Sequence, residues 1–293
     1  MLFQRRLVAR AMTTVTETLE TQATNPQIMM AILQLLNNFV VFYNEFAAGA
    51  LKSGLVRVHT LSRQHDQRCH RDSQHTRARQ FAVLGRVLQI WMHEYEPILG
   101  VMHVILPAFQ HNDQASIRVM GDELAVPIAT IIRSRPPSDH LVGNAICFLA
   151  NISAVCGDII PSICTQQLFQ SLLSVSQSTE PAATLGKSNI AFLFGAFLEH
   201  TSPTNNSAWL SFNEAHQLLL ELLKLLTPHP DFHATTKAIL TIVRSFLALN
   251  PSVTAKLLST TAISAIQTVL EESQNDEITT LARRALEQLD QHE

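Results

Sequence analysis

The chain reads as all-α, arranged as a solenoid of about five to six helical repeats. Apolar residues recur at helical spacing almost throughout, as in Leu218, Leu219, Leu222, Leu223, Leu225 and Leu226, or Ile239, Ile242, Val243, Phe246 and Leu247, which places them on one side of a helix. Proline-bearing breakers separate these stretches, and one kind of apolar segment keeps returning. No segment alternates convincingly with the two-residue period of a strand.

Residues 1–25 form a helical opening segment. It carries Arg5, Arg6 and Arg10 with no acid before Glu17, a composition that fits a mitochondrial presequence. The same residues fit a helix whose apolar face, Leu2, Phe3, Leu7, Val8 and Ala11, caps the first repeat, and composition does not separate the two. Asn25-Pro26 then opens an array over 26–290, because asparagine caps helices and proline suits a first helical turn. Further breaks fall at Arg135-Pro136-Pro137, Thr201-Ser202-Pro203, Thr227-Pro228-His229-Pro230 and Asn250-Pro251, since the residue before a proline avoids the α region.

The returning segment is an apolar helix, usually with a small residue near its middle, over 32–39, 81–88, 145–152, 190–197 and 239–246. Aligned on the residue before the final apolar one, the equivalent positions are Asn38, Arg86, Asn151, Ala196 and Ser245. They recur in steps of about 45 to 49 residues, apart from one of about 65, against about 40 to 47 for an armadillo or HEAT unit. The long step has room for an extra helix over 122–133. Companion helices are expected over 167–173, 216–226 and 262–270.

Residues 57–79 interrupt this pattern with a polar, basic loop holding Arg57, Arg63, Arg68, Arg71, Arg77 and Arg79 against Asp66 and Asp72. Such a run is a solvated connection or an arginine-rich contact for an acidic partner or phosphate. His65, Cys69, His70 and His75 are zinc-ligand types, but the adjacent Cys69-His70 and the lack of a second cysteine do not fit a compact site, so no metal is expected.

The stretch Ala47 to Val56, with glycines at Gly49 and Gly54, resembles the armadillo consensus in which a glycine turn ends one helix and an apolar helix follows. Ala145 to Ile152 is similar to the third helix of that family, which typically ends in leucine, any residue, asparagine, leucine. HEAT repeats leave similar traces. The resemblance implies a right-handed superhelix whose third helices line a concave groove, where asparagine bonds the backbone of an extended peptide. Asn38 and Asn151 match that position; Arg86, Ala196 and Ser245 depart from it. The tryptophans that accompany the asparagines in nuclear-import members have no clear counterpart. Trp91 is one residue out of step and pairs with Tyr95 four residues along one helix face, while Trp209 falls in a loop-like stretch.

Composition narrows the function. Only 15% of residues are charged and the formal net charge is -3, so no global positive field attracts nucleic acid. Neither GxGxxG, a P-loop nor HExxH occurs, nine glycines are few, and no nucleophile, base and orienting group come together. The four cysteines are too dispersed for a disulfide scaffold, and no apolar run reaches the roughly 20 residues of a membrane span. The expectation is therefore a non-catalytic, cofactor-free scaffold or adaptor that holds a partner protein or extended peptide in its groove. Its candidate partner-binding residues are Asn38, Arg86, Asn151 and Ser245, with Arg63, Arg68 and Arg71 from the basic loop. An RNA- or phosphate-binding adaptor using residues 57–86 is the alternative. The expected compartment is the cytoplasm, with the nucleus, or the mitochondrion if residues 1–16 are a presequence, as alternatives.

Overall fold

The computed structural model describes residues 14–15, 17–22, 24–36, 81–110, 114–181, 183–201, 208–249, 254, 258 and 260–291. Among them there is no strand, so the all-α expectation holds. The chain divides into two compact units, Met1–Pro127 and Ile128–Glu293. Positions 38 and 57–79, with Arg63, Arg68 and Arg71, lie outside the described residues.

In the first unit, α1 spans Pro26–Leu36 and α2 spans Phe81–Ile90. Helix α3 follows over Tyr95–Gln110 and α4 begins at Gln114, ending beyond the unit at Ser134. Asn25 starts α1 as expected: its Oδ1 accepts from the backbone N–H groups of Gln27 and Ile28 at 3.2 and 3.3 Å, satisfying donors that a helix start leaves unpaired. The core is aliphatic: Met29, Leu33, Val87, Leu88, Ile98, Val101, Ile105 and Leu124 are all buried. Two glycines permit close packing. A Cβ on Gly100 would meet the Leu33 side chain at 3.1 Å, and one on Gly85 would meet the Glu123 carbonyl oxygen at 2.6 Å.

Two sequence expectations are corrected here. The extra helix expected over 122–133 is part of the longer α4, Gln114–Ser134, which runs through Pro127. Trp91 and Tyr95 do not share a helix face, because α2 stops at Ile90 and Trp91 opens the turn whose Glu94 N–H bonds the Trp91 carbonyl at 2.9 Å. Pro97, near the start of α3, favours a first helical turn there rather than a continuing helix.

The second unit contains α5 (His140–Val155), α6 (Gln166–Gln177), α7 (Ala183–Glu199), α8 (Asn213–Leu223), α9 (His233–Leu249), α10 (Thr260–Glu272) and α11 (Asp276–Asp290). The breaks expected at 135–137 and 227–230 fall between helices, whereas residues 202–207 and 250–253 lie outside the described residues. Asp139 caps α5 by accepting from the Leu141 N–H at 2.8 Å, and it also pairs with Arg135. Thr165 caps α6 and Asn275 caps α11. At the 227–230 break, the buried Thr236 hydroxyl donates to the Thr227 carbonyl at 2.9 Å, tying the turn to α9.

These helices form two rows. Helix α5 packs on α7, α7 on α9 and α9 on α11; in the other row α6 packs on α8, with a lighter contact from α8 to α10. Helices α6 and α7 join the rows, as do α10 and α11. The α5–α7 pair is parallel and in register: the Asn189 side-chain amide donates to the Gly143 carbonyl at 3.2 Å, and His200 Nε2 lies 3.2 Å from the Ala154 carbonyl, both across 46 residues of chain. In the second row Gln166 Nε2 donates to Glu214 Oε1 at 2.9 Å across 48 residues.

The two rows meet in an aromatic core. Phe169 of α6 stacks on Trp209 at a centroid distance of 5.4 Å, and Phe194 of α7 lies 5.5 Å from Trp209 and 5.4 Å from Phe246 of α9. Aromatic pairs at such distances add to the area they bury. Leu149, Ile152, Phe194, Phe197, Val243 and Phe246 are all buried, as the sequence indicated. Trp209, read from the sequence as part of a loop-like stretch, does lie between helices. It belongs to a 3-10 turn, Ala208–Ser211, and is 2% exposed, because the turn delivers it into the gap between the rows.

Candidate functional site

Helix α7 is flanked by α5 and α9 and backed by α6, and a strip of it stays in solvent: Thr184, Phe192 and Glu199 are exposed, with Ser188 and Gly195 half-buried between them. Helix α5 leaves Asn151 and Ala154, with Cys147 half-buried; helix α9 leaves Lys237, Thr241 and Ala248, with Arg244 and Ser245 half-buried. These strips follow from the 3.6-residue period: inward positions are consumed by the neighbouring helices, and the outward ones stand one turn apart.

Asn151 is exposed, but its amide is not idle. Nδ2 donates to the Cys147 carbonyl at 2.8 Å and approaches Cys147 Sγ at 3.8 Å. The side chain therefore lies back along its own helix, and a ligand would exchange this local bond for one of its own. Burial pushes the Cys147 thiol above its ordinary range, only partly offset by the Asn151 amide. Burial also raises Cys164. Neither is a thiolate nucleophile at neutral pH, because raised thiols stay protonated. Cys156 is buried, and these three cysteines are unbridged.

Ser245 stands on α9 beside Arg244. Ala196, aligned with Asn151 and Ser245 in the sequence, is 6% exposed; the outward strip of α7 passes through Gly195 instead. Arg86 is exposed on α2 and belongs to the first unit, whereas Asn151 and Ser245 belong to the second. The exposed Phe192 was missed in the sequence, since its segment reads as uniformly apolar. Lys237 was missed too: its Nζ holds Glu277 Oε1 of α11 at 2.6 Å, with both side chains about half or more exposed.

Among the described residues no group of three or more metal-ligating side chains converges. No single described helix is long and apolar enough to cross a membrane. The bent pair His140–Val155 and Gly157–Ile163 passes by length and composition, turning through 115°, but the apolar residues of α5 are buried against α7. Comparison with family models, curated proteins and solved structures returns no match.

Proposed function

We propose that the chain is a non-catalytic scaffold of the armadillo- or HEAT-like solenoid kind, holding a partner protein or an extended peptide along the outward strips of α5, α7 and α9. The supporting observation is the repeated spacing: hydrogen bonds join neighbouring helices across 46 residues in one row and 48 in the other. Units that stack at a constant interval bury their apolar sides on each other and present equivalent outer positions as a continuous surface. On this reading the partner meets Asn151, Phe192 and Thr241 in turn, with Ser245 and Lys237 at the margin, and Arg86 acts in the first unit. The proposed compartment is the cytoplasm.

The test is site-specific photo-crosslinking in cells. A photoreactive residue at Phe192 or Asn151 should give discrete adducts with one partner, while one at the exposed Gln217 of α8 gives few. Replacing Arg86 and Asn151 together by alanine should weaken recovery of that partner and leave the helical circular dichroism unchanged. Equal adducts from Gln217, or RNA as the crosslinked species, would overturn this reading.

A further inference from the structure

An open groove of about 480 Å³, lined by none of the strip residues of α5, α7 and α9, lies between the last turn of α4 and α6 in the second unit. This volume is within the range of about 300 to 1,000 Å³ usual for ligand clefts. Its apolar floor includes the buried Ile132 and Val175. Gln167, Gln170, Ser171 and Ser174 form one polar strip along α6, at intervals of three or four residues.

The charges in the groove are uneven. Arg133 and Arg135 line it, and among the described residues no carboxylate does. Arg135 pairs with Asp139, which also caps α5. Asp139 is thus occupied elsewhere and does not neutralise Arg133. Arg133 is half-buried, and its Nη2 donates to Thr130 Oγ1 at 2.7 Å. That bond orients the guanidinium while its other N–H groups keep donor capacity, since the group carries five in a planar fork. The Ser171 and Ser174 hydroxyls donate to the carbonyls of Gln167 and Gln170 at 3.1 and 3.0 Å, so their lone pairs accept from a ligand. The exposed glutamine amides both donate and accept.

We infer that this groove binds a short extended peptide carrying an acidic side chain, whose carboxylate pairs with Arg133 and whose backbone bonds the glutamine and serine strip of α6. The lengths agree. Gln167 to Ser174 spans about 10 Å of helix, close to the rise of three extended residues. Charge-assisted guanidinium–carboxylate bonds are the strong, oriented kind. A nucleic acid fits less well, because its affinity comes from neutralising several phosphates and, among the described residues, the groove offers one cation without a carboxylate partner.

The intact chain is titrated by fluorescence anisotropy with a labelled glycine-serine decapeptide holding two central glutamates, and with a twin holding glutamines there. Saturable binding of the glutamate peptide is expected, at least tenfold weaker for the twin and for the R133Q and Q170E variants. Gln170 is exposed, so Q170E tests the groove even if R133Q fails to fold. Absence of saturable binding, equal affinity for the two peptides, or Q170E binding as well as the unaltered chain would overturn the inference. So would an oligouridylate that binds with R133Q sensitivity while the acidic peptide does not.

Discussion

The carbonyl oxygen of Glu123 lies 2.6 Å from where a Cβ on Gly85 would stand. Four residues on, Pro127 has no N–H to give back to that carbonyl. The proline thus releases an acceptor on α4, and the glycine lets α2 come up against it. Gly85→Ala should lower stability by about 1 to 3 kcal/mol despite alanine's better helix propensity, because the obstructing atom is backbone and cannot rotate away. Thermal denaturation checks this, and an unchanged or raised melting temperature would show that the α2–α4 contact yields easily.

Trp209 offers a paired comparison. Its ring touches Phe169, Phe194, Phe197 and Phe246, while its Nε1–H is buried with no acceptor among the described residues. Trp209→Ala should cost about 3 to 5 kcal/mol, as should Phe194→Ala. Trp209→Phe keeps most of the packing and removes an unsatisfied donor, so its cost should stay below about 1.5 kcal/mol. Denaturant titration of the three variants separates ring packing from the indole N–H.

Thr236→Val keeps the shape of the side chain and removes the hydroxyl that holds the Thr227 carbonyl. The expected loss is about 1 to 3 kcal/mol, with faster amide exchange in residues 227–232 measured by mass spectrometry. A global loss without local exchange would place the bond's role in the core rather than in the turn.

Glu214 accepts the Gln166 amide, and this bond, with a backbone hydrogen bond, holds its carboxyl below the usual glutamate value of 4.5. A carboxylate with a depressed folded-state pKa binds fewer protons folded than unfolded. Its contribution is therefore present above pH 4.5 and is lost as pH falls through the folded value. Gln166→Leu should reduce the acid-side loss of stability while leaving Glu214 ionised at neutral pH. Melting curves across the acid range, with identical slopes for both proteins, would show that the bond carries no linkage.

The raised thiols of Cys147 and Cys164 predict slow alkylation. Iodoacetamide at neutral pH should label both far more slowly than a free cysteine peptide, and denaturant should abolish the difference, because only the thiolate attacks. Peptide mapping by mass spectrometry reads each site separately.

Helix boundaries were legible from the sequence at the explicit breakers that fall among the described residues. Asn25-Pro26, Asp139 after the Pro136-Pro137 pair, and Thr227 to Pro230 all mark real helix boundaries. The bonded pairs Asn189–Gly143 and Gln166–Glu214 lie 46 and 48 residues apart; on the repeat reading proposed above, that is the interval at which stacked helices repeat the same apolar demand. Rotation of each helix was not legible. Ala196 and Gly195 differ by one position, about 100° around the axis, and both are small residues in an apolar run. Trp91 and Tyr95 failed because their spacing suits one helix, whereas the turn after Ile90 separates them. The groove beside α6 was missed because Gln167, Gln170, Ser171 and Ser174 look like an ordinary solvated face until Arg133 is brought beside them.

The in-register hydrogen bonds from α7 to α5 have a consequence for how the second unit comes apart. Helix α7 bonds α5 across 46 residues of chain, and Lys237 of α9 meets Glu277 of α11 after a comparable stretch, so these two interfaces close loops of similar size and the entropy of closure differs little between them. No interface has to wait for a distant one. Unravelling can therefore begin at α11, whose hold on α9 includes the exposed Lys237–Glu277 pair, and move inward one helix pair at a time. The aromatic cluster around Trp209 would be reached late. If the unit is the repeat array proposed above, pulling on its ends should give several small extensions, as a spring does, rather than one abrupt release.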